Sequence, residues 1–468
     1  MTGSRPNIVY VMTDTLRTAW LGCYGSEAIR TPNIDALARQ SVLFTRAYPE
    51  SLPTIPVRRA VFTGRRCYPF RDYTPVPWDI VYLPGWQAMD RTEDTVAENL
   101  ANAGYHTGFV TDTIPYFAPG FNFQRGFWQW HYTRGLQQDR WGSVHAVSDD
   151  DLEGYWWPGG DAPVHSNLRY HVANSRGRLR ERDTTTAEVF RWAMEFLEDN
   201  RHAQPFYLFV DSFRPHEPWE APRRYYEMYA DPDYDGPTIP HPRYQPMDQQ
   251  GLTEAMVADI IAHYSGLVTL VDTWLGMLMD TLERLDLLES TLVIFTSDHG
   301  TNFADNPQRV VGKPAYSLWP GLMHLPLLVR LPGGANAGSR VSDLVYNIDA
   351  TATLYDLAGV DDHQPIDGRS LLPLLLGEEG WGPREYVTCR YGDCVCCIDD
   401  QWWVRGDVDG TLGEAFDVQS DPLCHDDRAD DLPDGVLDRA WKRIMADAAG
   451  ELPTYDDPRR TDAVGLRY

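Results

Sequence analysis

Residues 291–300 read TLVIFTSDHG, an apolar, β-branched run that stops at Asp298, His299 and Gly300. Such a run reads as a buried strand. The polar residues that end it stand where an open α/β sheet gathers its ligands, in the crevice beyond the carboxyl ends of the strands. NIVYVMTD, residues 7–14, repeats the arrangement with Asp14 at its end. Two carboxylates and an imidazole brought together there would repel or stay unsatisfied without a cation, so a divalent metal is the expected answer. Taken singly, an aspartate at a strand end is more often a helix cap.

Outward from these two strands, short apolar runs alternate with helical patterns, as in a sheet layered with helices. TPNIDALARQ opens with Thr31 as a cap and Pro32 in the first turn. EDTVAENLANAG is a helix stopped by Gly104, and the strand HTGFVT follows. Residues 183–200 place Ala187, Phe190, Ala193, Met194 and Leu197 on one helical face, ahead of the strand FYLFV. A long helical stretch from about Thr253 to Leu288 leads into TLVIFTSDHG; LPLLVR and a helix beginning near Asp349 come next. The expected fold is α/β, a large central, mixed but mostly parallel sheet sandwiched by helices. Between about 113 and 182 the pattern dissolves into Trp, Tyr, Gly and Asp, in FWQWHYTRG and EGYWWPGGD. This reads as an insertion over the sheet's edge, either covering a pocket or forming a structural lobe. After residue 378 come the short strands YVTC, CVCCI, WWVRG and EAFDV and one helix in VLDRAWKRIMADAAG. Residues 1–378 are therefore expected to form the main domain, and 379–468 a small antiparallel sheet with a helix across it.

The chain of 468 residues is 43% hydrophobic and 12% aromatic, enough for a large core. Its formal charge of −27 repels polyanions, and no long basic run overrides it, so nucleic acid is excluded as a partner. No stretch approaches the roughly 20 apolar residues of a membrane span, and NIVYVM is too short and too early for a signal peptide. A cytoplasmic protein without a membrane partner is the expectation, and homo-oligomerisation stays open. Four of the seven cysteines, Cys389, Cys394, Cys396 and Cys397, fall in CRYGDCVCC. Their spacing fits no paired zinc pattern, and strand alternation points Cys394 and Cys396 to one face and Cys397 to the other.

SLPTIPVRRAVFTG, residues 51–64, carries Pro56 in the first turn of a helix that ends at Gly64. Thr54 is thereby placed at or just before an N-terminus whose N–H groups and dipole favour an anion. Its hydroxyl has two uses there. It can cap the helix, or, coordinated to a metal beside Arg58, it can attack a bound phosphoryl or sulfuryl centre. His216 in RPHEPWEAP and Lys313 in VGKP lie in polar, proline-punctuated loops after strands. A histidine so placed can donate a proton to a leaving oxygen, and a lysine can neutralise equatorial oxygens.

The order of these segments resembles the sulfatases of the alkaline-phosphatase superfamily, almost end to end. RPNIVYVMTDTLRTAWLGCYGSEAIRTPNIDALARQSVLFTRAY is similar to the family's opening block, and TIPVRRAVFTG to its Cys/Ser-x-Pro-x-Arg signature. RPHEPW, TLVIFTSDHG, GKP, HLPLLVRLPGG, NIDATATLYDLAGV, DGRSLLPLLLGE and EAFDVQSDP follow in the family's order. The resemblance implies that Asp14, Asp298 and His299 bind one divalent metal ion (Mn, Zn, Mg or Ca), which Thr54 also contacts. It further implies that Arg58 steadies nucleophile and anion, Lys313 binds the substrate oxyanion and His216 serves the leaving group. His324 would lie close by among the substrate-binding groups.

Three departures qualify the likeness. The family converts its signature cysteine or serine to formylglycine, which Thr54 cannot become, and Cys67 lies outside the motif; no formylglycine is expected. The second acid of the usual Asp-Asp pair is Thr15, and VTDTIPY lacks the Gly-Lys-x-His segment. Asp-His in place of Asp-Asn at 298–299 resembles the phosphonate monoester hydrolases and related phosphodiesterases, and threonine is the nucleophile of the nucleotide pyrophosphatase branch. Water can open a phosphothreonine by attack at phosphorus, whereas a sulfothreonine lacks the formylglycine escape. The expected function is a metal-dependent hydrolase of small anionic phosphate or phosphonate mono- or diesters, by in-line attack of Thr54. A true sulfuric ester hydrolase and an inactive anion-binding scaffold are the alternatives. The Trp-rich insertion suggests an apolar or aromatic leaving group.

Overall fold

The computed structural model describes residues 5–75, 81–137, 139–157, 162–178 and 180–455. Residues 1–4, the PGGD end of EGYWWPGGD and residues 456–468 of the C-terminal segment lie outside them. Nine strands among the described residues form the central sheet: β1 (Asn7–Asp14), β2 (Val42–Tyr48), β3 (His106–Thr111), β4 (Gln129–Tyr132), β5 (Phe206–Pro215), β6 (Thr291–Ser297), β7 (Leu325–Arg330), β8 (Arg340–Val341) and β9 (Val345–Tyr346). Their order is β8-β2-β7-β6-β1-β5-β3-β4, with β9 also paired to β2. Every pairing is parallel except those of β7, which runs antiparallel to β2 and β6.

The central strands read as unbroken apolar runs because both of their faces are buried. Along β1, Ile8, Tyr10 and Met12 join one core and Val9 and Val11 the other. The first core is covered by α2 (Thr54–Thr63), α3 (Val96–Asn102) and α7 (Asp349–Ala358) through Ile55, Leu100 and Leu354. The second is covered by α1 (Pro32–Arg39), α5 (Thr185–Asn200) and α6 (Glu254–Arg284) through Leu37, Phe190 and Leu275. Register does the rest. Thr13 lies opposite Ser297, so Asp14 and Asp298 leave neighbouring strands at the same level of the carboxyl edge.

Several boundaries differ from the sequence reading. Thr31 occupies the cap position of α1, but its side chain does not cap; the hydroxyl bonds Asp35 and accepts from the Gly22 N–H. Helix α6 stops at Arg284 rather than near Leu288, because Asp286 turns to φ 57°. That helix is long and apolar enough to span a bilayer by length and composition, yet most of it packs inside the protein. Part of the aromatic insertion extends the sheet: β4 is its edge strand, and α4 (Asn167–Ser175) follows. Trp128, Trp130 and Trp141 of this segment are half exposed or more.

The C-terminal segment forms the meander β10 (Tyr386–Tyr391), β11 (Cys394–Asp399), β12 (Trp402–Asp407) and β13 (Leu412–Asp417), with α8 (Val436–Asp447) packed on β11. Cys389, Cys394 and Cys396 face the main core, Cys397 faces α8, and all four are free thiols. The meander does not stand apart. Ser51–Leu52, directly ahead of α2, pairs in parallel with β10 and braces the entry to Thr54.

Candidate active site

Thr15 turns the chain after β1 with φ 68°, a left-handed conformation that threonine rarely adopts. The turn aims its N–H at Asp298 Oδ1 (3.1 Å) and its hydroxyl at Asp14 Oδ1 (2.6 Å). The residue in the position of the second acid is thus a clamp on the two carboxylates. His299 completes the cluster. Its Nδ1–H donates to Gly300 O (2.8 Å), leaving Nε2 as the lone-pair nitrogen, 3.5 Å from Asp298 Oδ2 and 3.8 Å from Asp14 Oδ1. One donor atom from each of Asp14, Asp298 and His299 falls within 4.8 Å of the others, and all three residues are fully buried.

The cluster suits a divalent cation on two counts. Asp14 Oδ2 is buried and accepts no hydrogen bond. Burial and the charge of Asp298 push the Asp14 carboxyl up, and burial pushes Asp298 up, so an added positive charge is what would keep both ionised. Among the described residues, the cation in direct contact with these carboxylates is Arg58. Its Nε and Nη2 bind both oxygens of Asp211 (3.1 and 3.0 Å), its Nη1 bonds Asp298, and Asp14 Oδ2 lies 3.2 Å away. Burial opposes the guanidinium charge, but the carboxylates outweigh it and hold Arg58 protonated. With all three carboxylates ionised, one arginine leaves a charge of two minus, which a divalent cation would balance. The arginine expected to steady nucleophile and anion is engaged with these carboxylates. Asp211, on β5, was not singled out from the sequence, although an acid within FYLFVDSF needed a buried partner.

Thr54 is the first residue of α2, with Pro53 in the cap position, and its side chain makes no capping bond. The hydroxyl instead lies 3.3 Å from His299 Nε2. The hydroxyl thus faces the cluster and not the N–H groups of its own helix.

His216, Glu217 and Lys313 form the adjoining group. Lys313 Nζ donates to both Glu217 oxygens (2.8 and 2.6 Å) and lies 5.0 Å from the centre of the Tyr244 ring, whose hydroxyl also donates to Glu217 (2.5 Å). Burial disfavours the Glu217 charge, yet His216 and Lys313 hold its carboxyl well below the usual range. An ammonium has three donors, and these bonds use two of them. Glu217 went unremarked beside His216 in RPHEPW. His216 donates from Nδ1 to Glu217 O (2.7 Å), and burial lowers the ring to about 3, so it is neutral at pH 7 with Nε2 unprotonated. In that state Nε2 is an acceptor, and the leaving-group role expected of His216 would need the ring to gain a proton first. His324 is not brought into the cluster. Its Nε2 bonds Thr45 O (2.6 Å), its Nδ1 lies 3.2 Å from the Thr18 hydroxyl, and its ring stacks on Tyr48, so both nitrogens are already engaged.

A family model described as Sulfatase matches residues 6–360. Uncharacterized sulfatase YidJ of Escherichia coli (strain K12) is 26% identical over 454 residues, spanning 92% of this chain and 84% of that protein. Choline-sulfatase of Rhizobium meliloti (strain 1021) is 26% identical over 495 residues, spanning 97% and 89%. Among solved structures, the phosphonate monoester hydrolase of Agrobacterium radiobacter shares the fold with a TM-score of 0.71, at 21% identity and over 95% of this chain and 96% of that one. With the family match running from ahead of β1 to beyond α7, and the carboxyl-edge cluster inside it, the chain belongs to the sulfatase family of ester hydrolases.

Proposed function

We propose that this hydrolase cleaves phosphate or phosphonate esters with the unmodified Thr54 hydroxyl as nucleophile. The observation that carries the reading is that this hydroxyl lies 3.3 Å from His299 Nε2, the nitrogen that would ligate an ion, at the edge of a buried cluster whose three carboxylates, when ionised, outnumber its one arginine by two, so the same ion would reach the hydroxyl. Asp14, Asp298 and His299 would hold the divalent ion that sulfatase-family members bind. An imidazole beside carboxylates favours Mn or Zn over Ca or Mg. When bound, such an ion polarises the nucleophile and the ester oxygens.

The protein's own groups account for the rest. Lys313, positioned by Glu217, offers its third N–H to a non-bridging oxygen. Thr54 Oγ1 gives up its proton to solvent and forms a bond to phosphorus as the ester P–O bond breaks, and the leaving group departs as its anion. Water then attacks phosphorus and the P–Oγ1 bond breaks; His216 Nε2 accepts the water's proton, and one proton returns to the Thr54 oxygen. An unprotonated His216 gives the leaving group no acid, which favours leaving groups that depart readily as anions. The fold is shared by sulfatases and by the phosphonate monoester hydrolase and does not decide between them.

The test compares metal-loaded wild type and Thr54→Ala on aryl phosphate, phosphodiester, phosphonate and sulfate esters of one phenol. The expected result is preference for a phosphorus ester, a loss of about 10³-fold or more in Thr54→Ala, and a phosphothreonine trapped by mass spectrometry after acid quench. Faster turnover of the sulfate, or activity that survives Thr54→Ala, overturns the proposal.

A further inference from the structure

A second cavity, of about 350 Å³, opens where the aromatic insertion meets α5 and α6. It shares one wall with the candidate active site, the segment 214–220. His216 and Glu217 of this segment join Lys313, whereas Arg214 and Glu220 line the cavity. In a chain of formal charge −27, the cavity is lined by Arg178, Arg180, Arg214 and Arg223 and by one acid, Glu220, which is taken up by His171 (2.5 Å) and Tyr155 (2.9 Å); Arg223 pairs with Glu227 (2.5 Å) and Arg178 lies 3.9 Å from Glu188, whereas Arg214 has no such partner among the described residues.

Two buried groups there lack the partner their chemistry calls for. Arg214 is 8% exposed, and its Nη1 donates only to the carbonyls of His216 and Pro218. Asp112, Glu220 and Glu217 act on it at longer range, but no carboxylate among the described residues forms an ion pair with it, and burial lowers the guanidinium to about 10. Thr186 is 0% exposed, lines the cavity, and its hydroxyl has no hydrogen-bond partner. It sits in the first turn of the 16-residue α5, where Thr184 caps the Ala187 N–H (3.2 Å) and the helix dipole favours negative charge. A guanidinium without a carboxylate, an open hydroxyl and a helix N-terminus converge on one half-open, ligand-sized space.

We infer that this cavity is a second oxyanion site, binding a sulfate, phosphate or carboxylate group separately from the one at Thr54. The group comes either from the substrate's leaving portion or from a free ion, and the inference does not depend on which ester is hydrolysed.

Calorimetric titration of the metal-loaded full chain with inorganic sulfate tests it. Wild type is expected to bind two equivalents. Lys313→Met removes one, while Thr186→Val and Arg214→Met each weaken the other by about tenfold. Thr186→Val preserves shape, and Arg180→Gln changes an exposed rim position, so these two carry the test if Arg214→Met does not fold. Kinetics then separates the sources. A KM increase in Thr186→Val confined to esters whose leaving alcohol bears a carboxylate assigns the site to the substrate. A sulfate effect on turnover of a neutral-alcohol ester, abolished in Thr186→Val, assigns it to a free ion. Binding of a single equivalent that Lys313→Met abolishes and the three cavity variants leave intact overturns the inference, whether or not the ester reading holds.

Discussion

Asp211 decides how Arg58 is used. Both residues are fully buried, and the bidentate pair between them turns the guanidinium across Asp298 towards Asp14. Replacing Asp211 by Asn leaves the arginine short of a full charge partner in a space water does not reach. Denaturant unfolding is expected to show a loss of about 3–5 kcal/mol. A loss under 1 kcal/mol would mean that Arg58 finds another partner. Glu217→Gln acts on binding instead. With the carboxylate gone, Lys313 is no longer held over Tyr244, and KM for an anionic ester is expected to rise about tenfold, with kcat changing less. Asp14, Thr54, Arg58, His216, Asp298, His299 and Lys313 were legible as candidates because their types and segment order are local facts. The state of His216 was not, since neutrality at pH 7 follows from burial that only the packed protein defines.

Helix α2 presents Thr54 and depends on its own ending. Gly64 closes the helix at φ 71°, and a Cβ built there would lie 2.9 Å from Ile366 Cγ2 and 3.1 Å from Thr351 Cγ2. Gly64→Ala therefore combines backbone strain with a clash, and thermal denaturation is expected to reveal a cost of about 1–2 kcal/mol. An unchanged midpoint would show that the turn can relax. At the other end, Ser51–Leu52 joins β10, a pairing between segments more than 300 residues apart (Ser51 with Arg390). Periodicity identified the four strands of the C-terminal meander. It could not identify this two-residue strand, which has too few residues to carry a pattern of its own.

At the scale of the whole molecule, cation and proton are expected to set stability. The buried acidic cluster carries two uncompensated charges once its three carboxylates are ionised, so chelation is expected to lower the melting temperature and Mn or Zn to restore it. A ligand at 1,000 times its Kd is worth about 4 kcal/mol. No response to chelator would remove the metal from the account. A pH response is expected from a separate source, His263, in the first third of α6. It stacks on Tyr226, its Nδ1 accepts the Ala221 N–H (3.2 Å), and burial lowers it to about 4 from its ordinary 6.5. The unfolded chain binds this proton more readily than the folded one, so the contribution is intact above pH 6.5 and is lost as pH falls towards 4. At its limit that amounts to about 3 kcal/mol. Melting temperatures from pH 7 to 4 are expected to fall less steeply in His263→Gln than in wild type, and parallel curves would exclude His263 as the source.

The amino-acid sequence by itself determined that apolar strands end in Asp14 and Asp298–His299 and that a helix opens at Thr54, because side-chain period, capping preference and charge are properties of neighbours along the chain. The tertiary structure alone decided that β5 lies beside β1 and so delivers Asp211 to Arg58, that Glu217 holds Lys313, and that His324 turns to the backbone of β2. Those outcomes depend on strand order, register and exclusion of water, and they exist only once segments hundreds of residues apart are packed together.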